Sequence, residues 1–461
     1  MSWATILSPG IRQEPVDGGY NIHEGLREWR LGVRPYGLGD KALAGAGGVD
    51  VVFLTDSIFQ TGGTFTSVDN TVNRVRQLLQ RRFNPPDIEG GFGFMPIIGH
   101  PPTIQYIGTG FGNANMRVNG SNALWPAYGP ATLVGAAGLS KGIALRHVRA
   151  NSDLSGQTCW WLYANALPVD HLFQDSAAST MRQAQIVFGS NSGDGTFRFG
   201  WGDFTATSGG TQPYTNGSGA APVYATNVDA NAFSVDVDAD AAEAVGLRTS
   251  LANAATSSAA THWIQVDQLE ANNPVNIEGL LLYRDDNDCG VRTHNLGIGG
   301  AKSGDWNDAV TLAGLARFGS RAGTIPGENA QNAKLVVIEL GINDEQSAVS
   351  LATYRANLAA LIQSVQAWPS KPSVLMVYPM PRDHASALAN WRSFIEVGKS
   401  LASEYNCAVL DIWTTTRDSP HGNGSAGFMK DRGFYSDGVH MTKHGHDWCA
   451  GLILGALTVG L

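Results

Sequence analysis

The distribution of apolar positions divides the chain into three textures. The first opens with Val51-Val52-Phe53-Leu54, an unbroken apolar run that gives way to Thr55-Asp56-Ser57-Ile58 and then Thr61-Gly62-Gly63. A short run with β-branched members and a Gly-rich exit predicts a buried parallel strand. Helical spacing follows, because Val72, Val75, Leu78, Leu79 and Phe83 fall on one face. Ser67 or Asp69 is the expected N-cap, and Pro85-Pro86 the stop.

From about 94 to 289 the pattern changes to short alternating or apolar runs divided by Gly, Asn, Ser and Pro, as in 159–163, 185–188, 197–201, 263–266 and 280–283. Period-two patterning with frequent turns predicts an antiparallel β-domain, a sandwich or jelly roll. The third texture begins at Gly290. Strands are expected at 335–340, 374–378 and 408–412, helices at 348–368 and 387–404, and a last helix from about 443. Such alternation predicts a flavodoxin-like, doubly wound parallel sheet of the α/β class. The division expected is therefore an N-terminal arm or attachment segment (1–48), the first part of an α/β domain (49–99), an inserted β-domain (100–289) and the second part of the α/β domain (290–461). Residues 22–34 read as helix-like, but without a strong period.

Composition narrows the classes of function. With 461 residues, 43% hydrophobic and 15% charged, the chain has material for a large core, and 56 glycines imply many tight turns. A net charge of -9 argues against a sequence-independent grip on nucleic acid and against an anionic membrane surface. Cys159, Cys289, Cys407 and Cys449 form no C-x-x-C pair, and no disulfide framework is implied. The start, Met1 to Gly10, lacks a basic segment followed by an apolar one, and no run approaches a membrane span, so the expectation is a soluble chain without a Sec-type address.

Three short motifs carry candidate chemistry. Ser57 follows the first strand, Asn343 lies in Leu340-Gly341-Ile342-Asn343-Asp344 after another, and Asp437-Gly438-Val439-His440 directly precedes the last helix. Open α/β sheets place their chemistry at the carboxyl ends of the strands. Each motif alone is common, but the ordered set is specific: serine, asparagine, then Asp-x-x-His resembles the SGNH (GDSL-type) hydrolase family.

The resemblance implies that Ser57 is the nucleophile, His440 its base and Asp437 the group that orients the imidazole. It implies an oxyanion hole from the Ser57 backbone N–H, the Asn343 amide and a block II glycine. Matching N-x-x-x-x-G onto Asn295 to Gly300 selects Gly300, with Gly299 as the fallback. No cofactor is implied. Thr55 stands where the family has glycine, and Gly62 falls one position late. A β-branched neighbour restricts the backbone, so the turn that presents Ser57 is where turnover is at stake.

Other polar residues have plainer readings. Asp56 and Asp344 read as caps and His294 as a strand-bonding group, with a pocket role as its alternative. His440, His444 and His446 with Asp437 suggest a metal cluster, but two residues apart His444 and His446 cannot share a helical face. Asp236, Asp238 and Asp240, like the acidic loop 285–288, read as solvated faces in preference to calcium sites. Phe197, Phe199 and Trp201 read as core in preference to a sugar-stacking platform.

The function expected is a serine esterase removing O-acetyl groups from a polysaccharide, the carbohydrate part resting on family members with β-sandwich insertions. A lipase or acyl-thioesterase is the enzyme alternative. A glycan-binding recognition spike or fibre, joined to a phage-like virion through the N-terminal arm, is the alternative from another class. Location stays open between virion surface and cytoplasm.

Overall fold

The computed structural model describes residues 18–37, 48–60, 70–84, 91–96, 290–319, 332–382, 385–417 and 431–459, and the backbone of strands between 116 and 283. Its centre is a parallel ladder of β1 (Val49–Thr55), β2 (Val291–Asn295), β3 (Ala333–Glu339), β4 (Ser373–Tyr378) and β5 (Ala408–Asp411). The spatial order is β5-β4-β3-β1-β2, and Gly91–Pro96 joins β2 as a sixth parallel strand. Every residue of β1, β2, β4 and β5 is buried, which explains the near-unbroken apolar runs of β1, β4 and β5; β2 is instead mostly polar, and its Arg292 and His294 are buried against Asp50 of β1. This is an α/β fold with a mostly parallel six-strand sheet, the class expected.

The longer helices are α1 (Arg27–Gly37), α2 (Thr71–Phe83), α3 (Leu351–Gln366), α4 (Ala385–Tyr405) and α5 (Lys443–Thr458). Helices α1, α2 and α5 pack on one another, and α3 packs on α4. Sequence-local chemistry sets their starts: Ser350 accepts from the Thr353 N–H at 3.1 Å, and Thr442 from the Gly445 N–H at 3.2 Å. The cap of α2 is Asn70, which accepts from the Asn73 N–H at 2.7 Å, and not Ser67 or Asp69.

Residues 18–37 correct the expectation of an arm for that part of the chain. Gly19–Tyr20 pairs antiparallel with β5, and Leu26, Trp29 and Val33 are buried in the core. A Cβ at Gly25 would lie 2.4 Å from the Cys407 backbone carbon, so glycine is what lets this segment approach the sheet.

The strands between 116 and 283 pair antiparallel. Thr158–Ala164, Thr196–Asp203, Val223–Asp229 and Thr261–Gln268 form a second sheet with Met116–Val118. Asn276–Tyr283 bonds to Gly91–Pro96, so the hydrogen-bond ladder crosses the expected boundary at 99/100. The side chains of Phe197, Phe199 and Trp201, and the acidic residues 236–240 and 285–288, lie outside the described residues. So do 1–17 and 38–47 of the expected arm.

One buried charge cluster stands toward the amino end of β1. Asp50 accepts from Arg292 Nε at 2.7 Å and Nη2 at 2.8 Å and from the Asn332 N–H at 2.6 Å, with His294 Nε2 at 2.8 Å. Burial would raise the pKa of Asp50, but Arg292 and His294 hold it far below the ordinary carboxylate range. Its contribution to stability is therefore present above the unfolded carboxylate pKa and is lost as acid titrates the folded group. His294, as expected, serves a hydrogen bond between strands.

Candidate active site

The carboxyl edge of the sheet gathers the candidate residues. Thr55 is the last residue of β1, in register with Glu339 of β3, and its carbonyl accepts from the Ile298 N–H at 3.0 Å. An extended strand end suits a β-branched residue, which is how the chain tolerates Thr55 beside its turn. Asp56 then folds back, Oδ1 accepting from the Ile58 N–H at 2.8 Å, and Ser57 opens a single helical turn, Ser57–Gln60. Asp56 is the turn cap expected.

The Asp-x-x-His spacing works through one compact turn. Asp437 Oδ1 accepts from the N–H groups of Val439 and His440, each at 2.6 Å, while Oδ2 lies 2.8 Å from His440 Nδ1. The His440 carbonyl accepts from the Ser436 N–H at 2.9 Å, which closes the loop ahead of α5. His440 Nε2 faces Ser57 Oγ at 3.2 Å, across 383 residues of sequence. A carboxylate on Nδ1 favours the tautomer that leaves the Nε2 lone pair for the serine hydroxyl. Burial would raise the pKa of Asp437, but the His440 ring and the two backbone donors hold it below the ordinary range.

Asn343 enters one turn after β3, past Gly341, whose φ of 137° excludes most side chains. Its Nδ2 donates to Asp56 Oδ2 and to the Ala301 carbonyl, both at 3.1 Å. Both amide hydrogens are thus engaged within the protein. Gly300 lies in the loop after β2, between Ile298, bonded to Thr55, and Ala301, bonded to Asn343. Its φ is 83° and a Cβ there would meet nothing within 4 Å. Among the described residues Gly299 has no such positive φ, so the left-handed turn falls on the glycine first selected. Asp344 accepts from the Ser303 N–H at 2.9 Å and Oγ at 2.6 Å, tying this loop to the start of the Asn343 turn.

Glu339 was not expected here. It is wholly buried at the end of β3, and its Oε2 accepts from the Asp56 N–H at 3.3 Å. Burial raises Asp56 to about 7 and Glu339 well above the ordinary carboxylate range. The signal available was an acid inside an otherwise apolar strand run.

The histidines of the metal reading go to different partners. His446 Nδ1 lies 2.8 Å from Thr71 Oγ1, and the His444 ring packs on Phe434 with centroids 4.5 Å apart. Among the described residues no three His, Cys, Asp or Glu side chains converge as metal ligands, and no described helix is long and apolar enough to cross a membrane.

Comparison with known proteins meets this geometry from a second side. Residues 277–448 match the GDSL-like Lipase/Acylhydrolase family model, a stretch that includes Gly300, Asn343, Asp437 and His440. The chain belongs to the GDSL-like lipase/acylhydrolase (SGNH) family. Ser57 lies ahead of the matched stretch, and the fold brings it to His440. A solved peptidoglycan O-acetylesterase superposes with a TM-score of 0.59 at 12% identity, over 95% of this chain and 97% of that one, and shares the fold. A family two carbohydrate esterase from Clostridium thermocellum, solved with cellohexaose, aligns at 12% identity and a TM-score of 0.24, over 67% of this chain and 92% of that one. No curated protein sequence matches the chain.

Proposed function

We propose that this SGNH protein is a carboxylic-ester hydrolase that removes O-acetyl groups from a polysaccharide. The observation that carries the reading is the line Ser57 Oγ, His440, Asp437, with contacts of 3.2 and 2.8 Å at the carboxyl edge of a parallel sheet. In this reading Ser57 Oγ attacks the ester carbonyl as its proton passes to His440 Nε2. Asp437 stabilises the imidazolium, and His440 then returns the proton to the departing sugar oxygen. Water repeats the sequence on the acyl-enzyme and releases acetate. The Ser57 and Gly300 N–H groups and Asn343 Nδ2 receive the developing oxyanion, Asn343 giving up one internal hydrogen bond as the substrate oxygen arrives. What supports a glycan ester is the likeness of fold to a peptidoglycan O-acetylesterase over nearly the full length of both chains.

The test is release of acetate by the full chain from O-acetylated peptidoglycan and O-acetylated plant polysaccharides, set against long-chain acyl esters. Higher kcat/KM on the acetylated glycans is expected. Preference for long acyl chains would move the assignment to a lipase or thioesterase, and glycan binding without acetate release would move it to a recognition protein. On a small acetyl ester, Asn343→Ala should lower kcat by about 10²- to 10³-fold with little change in KM, the cost of one oxyanion donor. A loss below about tenfold would remove Asn343 from the hole.

A further inference from the structure

Next to the nucleophile lie two wholly buried carboxyl groups, and their surroundings are unequal. Asp56 receives the Ile58 N–H on Oδ1 at 2.8 Å and Asn343 Nδ2 on Oδ2 at 3.1 Å. Glu339 receives the Asp56 N–H on Oε2 at 3.3 Å, and its Oε1 is buried without a partner. Two adjacent carboxylates taken out of water cannot both hold a charge. The donors gather on Asp56, so the anion belongs there and the proton on Glu339.

We propose that Glu339 is a positioning residue for ester hydrolysis: as a neutral acid bonded to the Asp56 backbone, it allows Asp56 to be the anion that aims the Asn343 amide. The proposal rests on the esterase reading of Ser57. It extends that site by a residue that touches neither substrate nor nucleophile.

Burial supports the assignment, since it raises Asp56 to about 7 and Glu339 well above the ordinary carboxylate range. Among the described residues, His440, Asp344 and Tyr435 are the other ionisable groups that interact with Asp56. Tyr354, Tyr435 and Cys449 act with Glu339, and burial lifts all three so that they stay uncharged at neutral pH. The sign follows. As pH rises through about 7, Asp56 ionises and grips the Asn343 amide; where Glu339 in turn loses its proton, two anions face each other and the grip fails.

The experiment uses the full chain as wild type, Glu339→Leu and Glu339→Gln, with circular dichroism as the check on folding. Glu339→Leu should lower kcat by about 10- to 100-fold, part of what losing an oxyanion donor costs. Its KM should stay within about threefold. Glu339→Gln, which keeps an uncharged hydrogen-bonding group, should bring kcat back to within about threefold of wild type and abolish the fall at alkaline pH. Infrared difference spectra of wild type against Glu339→Gln at mildly alkaline pH should contain a protonated-carboxyl band. Absence of that band, or superimposable pH profiles for wild type and Glu339→Gln, would overturn the proposal. Fluorophosphonate labelling of the wild type separates the two layers: an unlabelled wild type sinks the esterase reading and the positioning role with it, whereas a labelled wild type without the carboxyl band sinks the Glu339 assignment alone.

Discussion

Ser57→Ala is expected to lower kcat on a small acetyl ester by about 10⁵- to 10⁶-fold while leaving affinity for the glycan within about twofold of wild type. Alanine removes the atom proposed to form the acyl bond, yet it fits the volume of serine at a strand end whose neighbours, Thr55 and Asp56, are already packed. His440→Ala should cost a similar factor, because without Nε2 the hydroxyl proton has no acceptor at 3.2 Å. The double variant should be no worse than either single one, since in the proposed mechanism the two side chains carry out one step and removing either disables it. Steady-state kinetics across the three variants read this directly. Multiplicative losses in the double variant would show that Ser57 and His440 act independently and would sink the shared mechanism. Asp437→Ala should cost less, on the order of 10⁴-fold, because its proposed role is to orient and stabilise the imidazole.

The parallel strands are legible in sequence because burial on both faces removes alternation, as in Val51 to Leu54 and Val374 to Val377. The three motifs are legible for a related reason: short turns directly after strands and before α5 give little freedom, so residue type and order carry most of the geometry. Caps are less legible. Ser67, Asp69 and Asn70 are all good N-caps, and only the path of the backbone into α2 chooses Asn70. The Asp56–Glu339 contact is hidden for a stronger reason, since its partners are 283 residues apart and Glu339 sits in a run that periodicity treats as uniformly apolar. Asn343 shows the same limit. Its position in the turn follows from the motif, but its bond to Asp56 exists only because β1 and β3 are adjacent in the sheet. The N-terminal segment does carry a helical stripe, Leu26, Trp29 and Val33 with Arg27, Glu28 and Arg30 between them, and what blurs it is the exposed Leu31 and the helix-weakening Gly32 off that stripe.

That stripe supplies the second large effect. Trp29→Ala is expected to destabilise the α/β domain by about 3 to 5 kcal/mol, the range for emptying a fully buried aromatic site. The indole is 0% exposed, meets the Phe83 ring edge-on at a centroid distance of 5.8 Å, and donates from Nε1 to the Leu457 carbonyl at 3.0 Å. It therefore links α1 to the end of α2 and the end of α5 at once. Truncation leaves a cavity among three helices and an unpartnered carbonyl near the end of α5, so two costs arise from one change. Because α5 begins three residues after His440, loosening its far end should lower the unfolding midpoint while leaving kcat at low temperature within about twofold, as the turn that carries His440 is held by Asp437 and Thr442 at the opposite end. Denaturant titration with an unchanged slope and a shifted midpoint is the reading expected. A shift equivalent to less than about 1 kcal/mol would mean that the segment around Trp29 behaves as an appendage whose packing adds little to the domain.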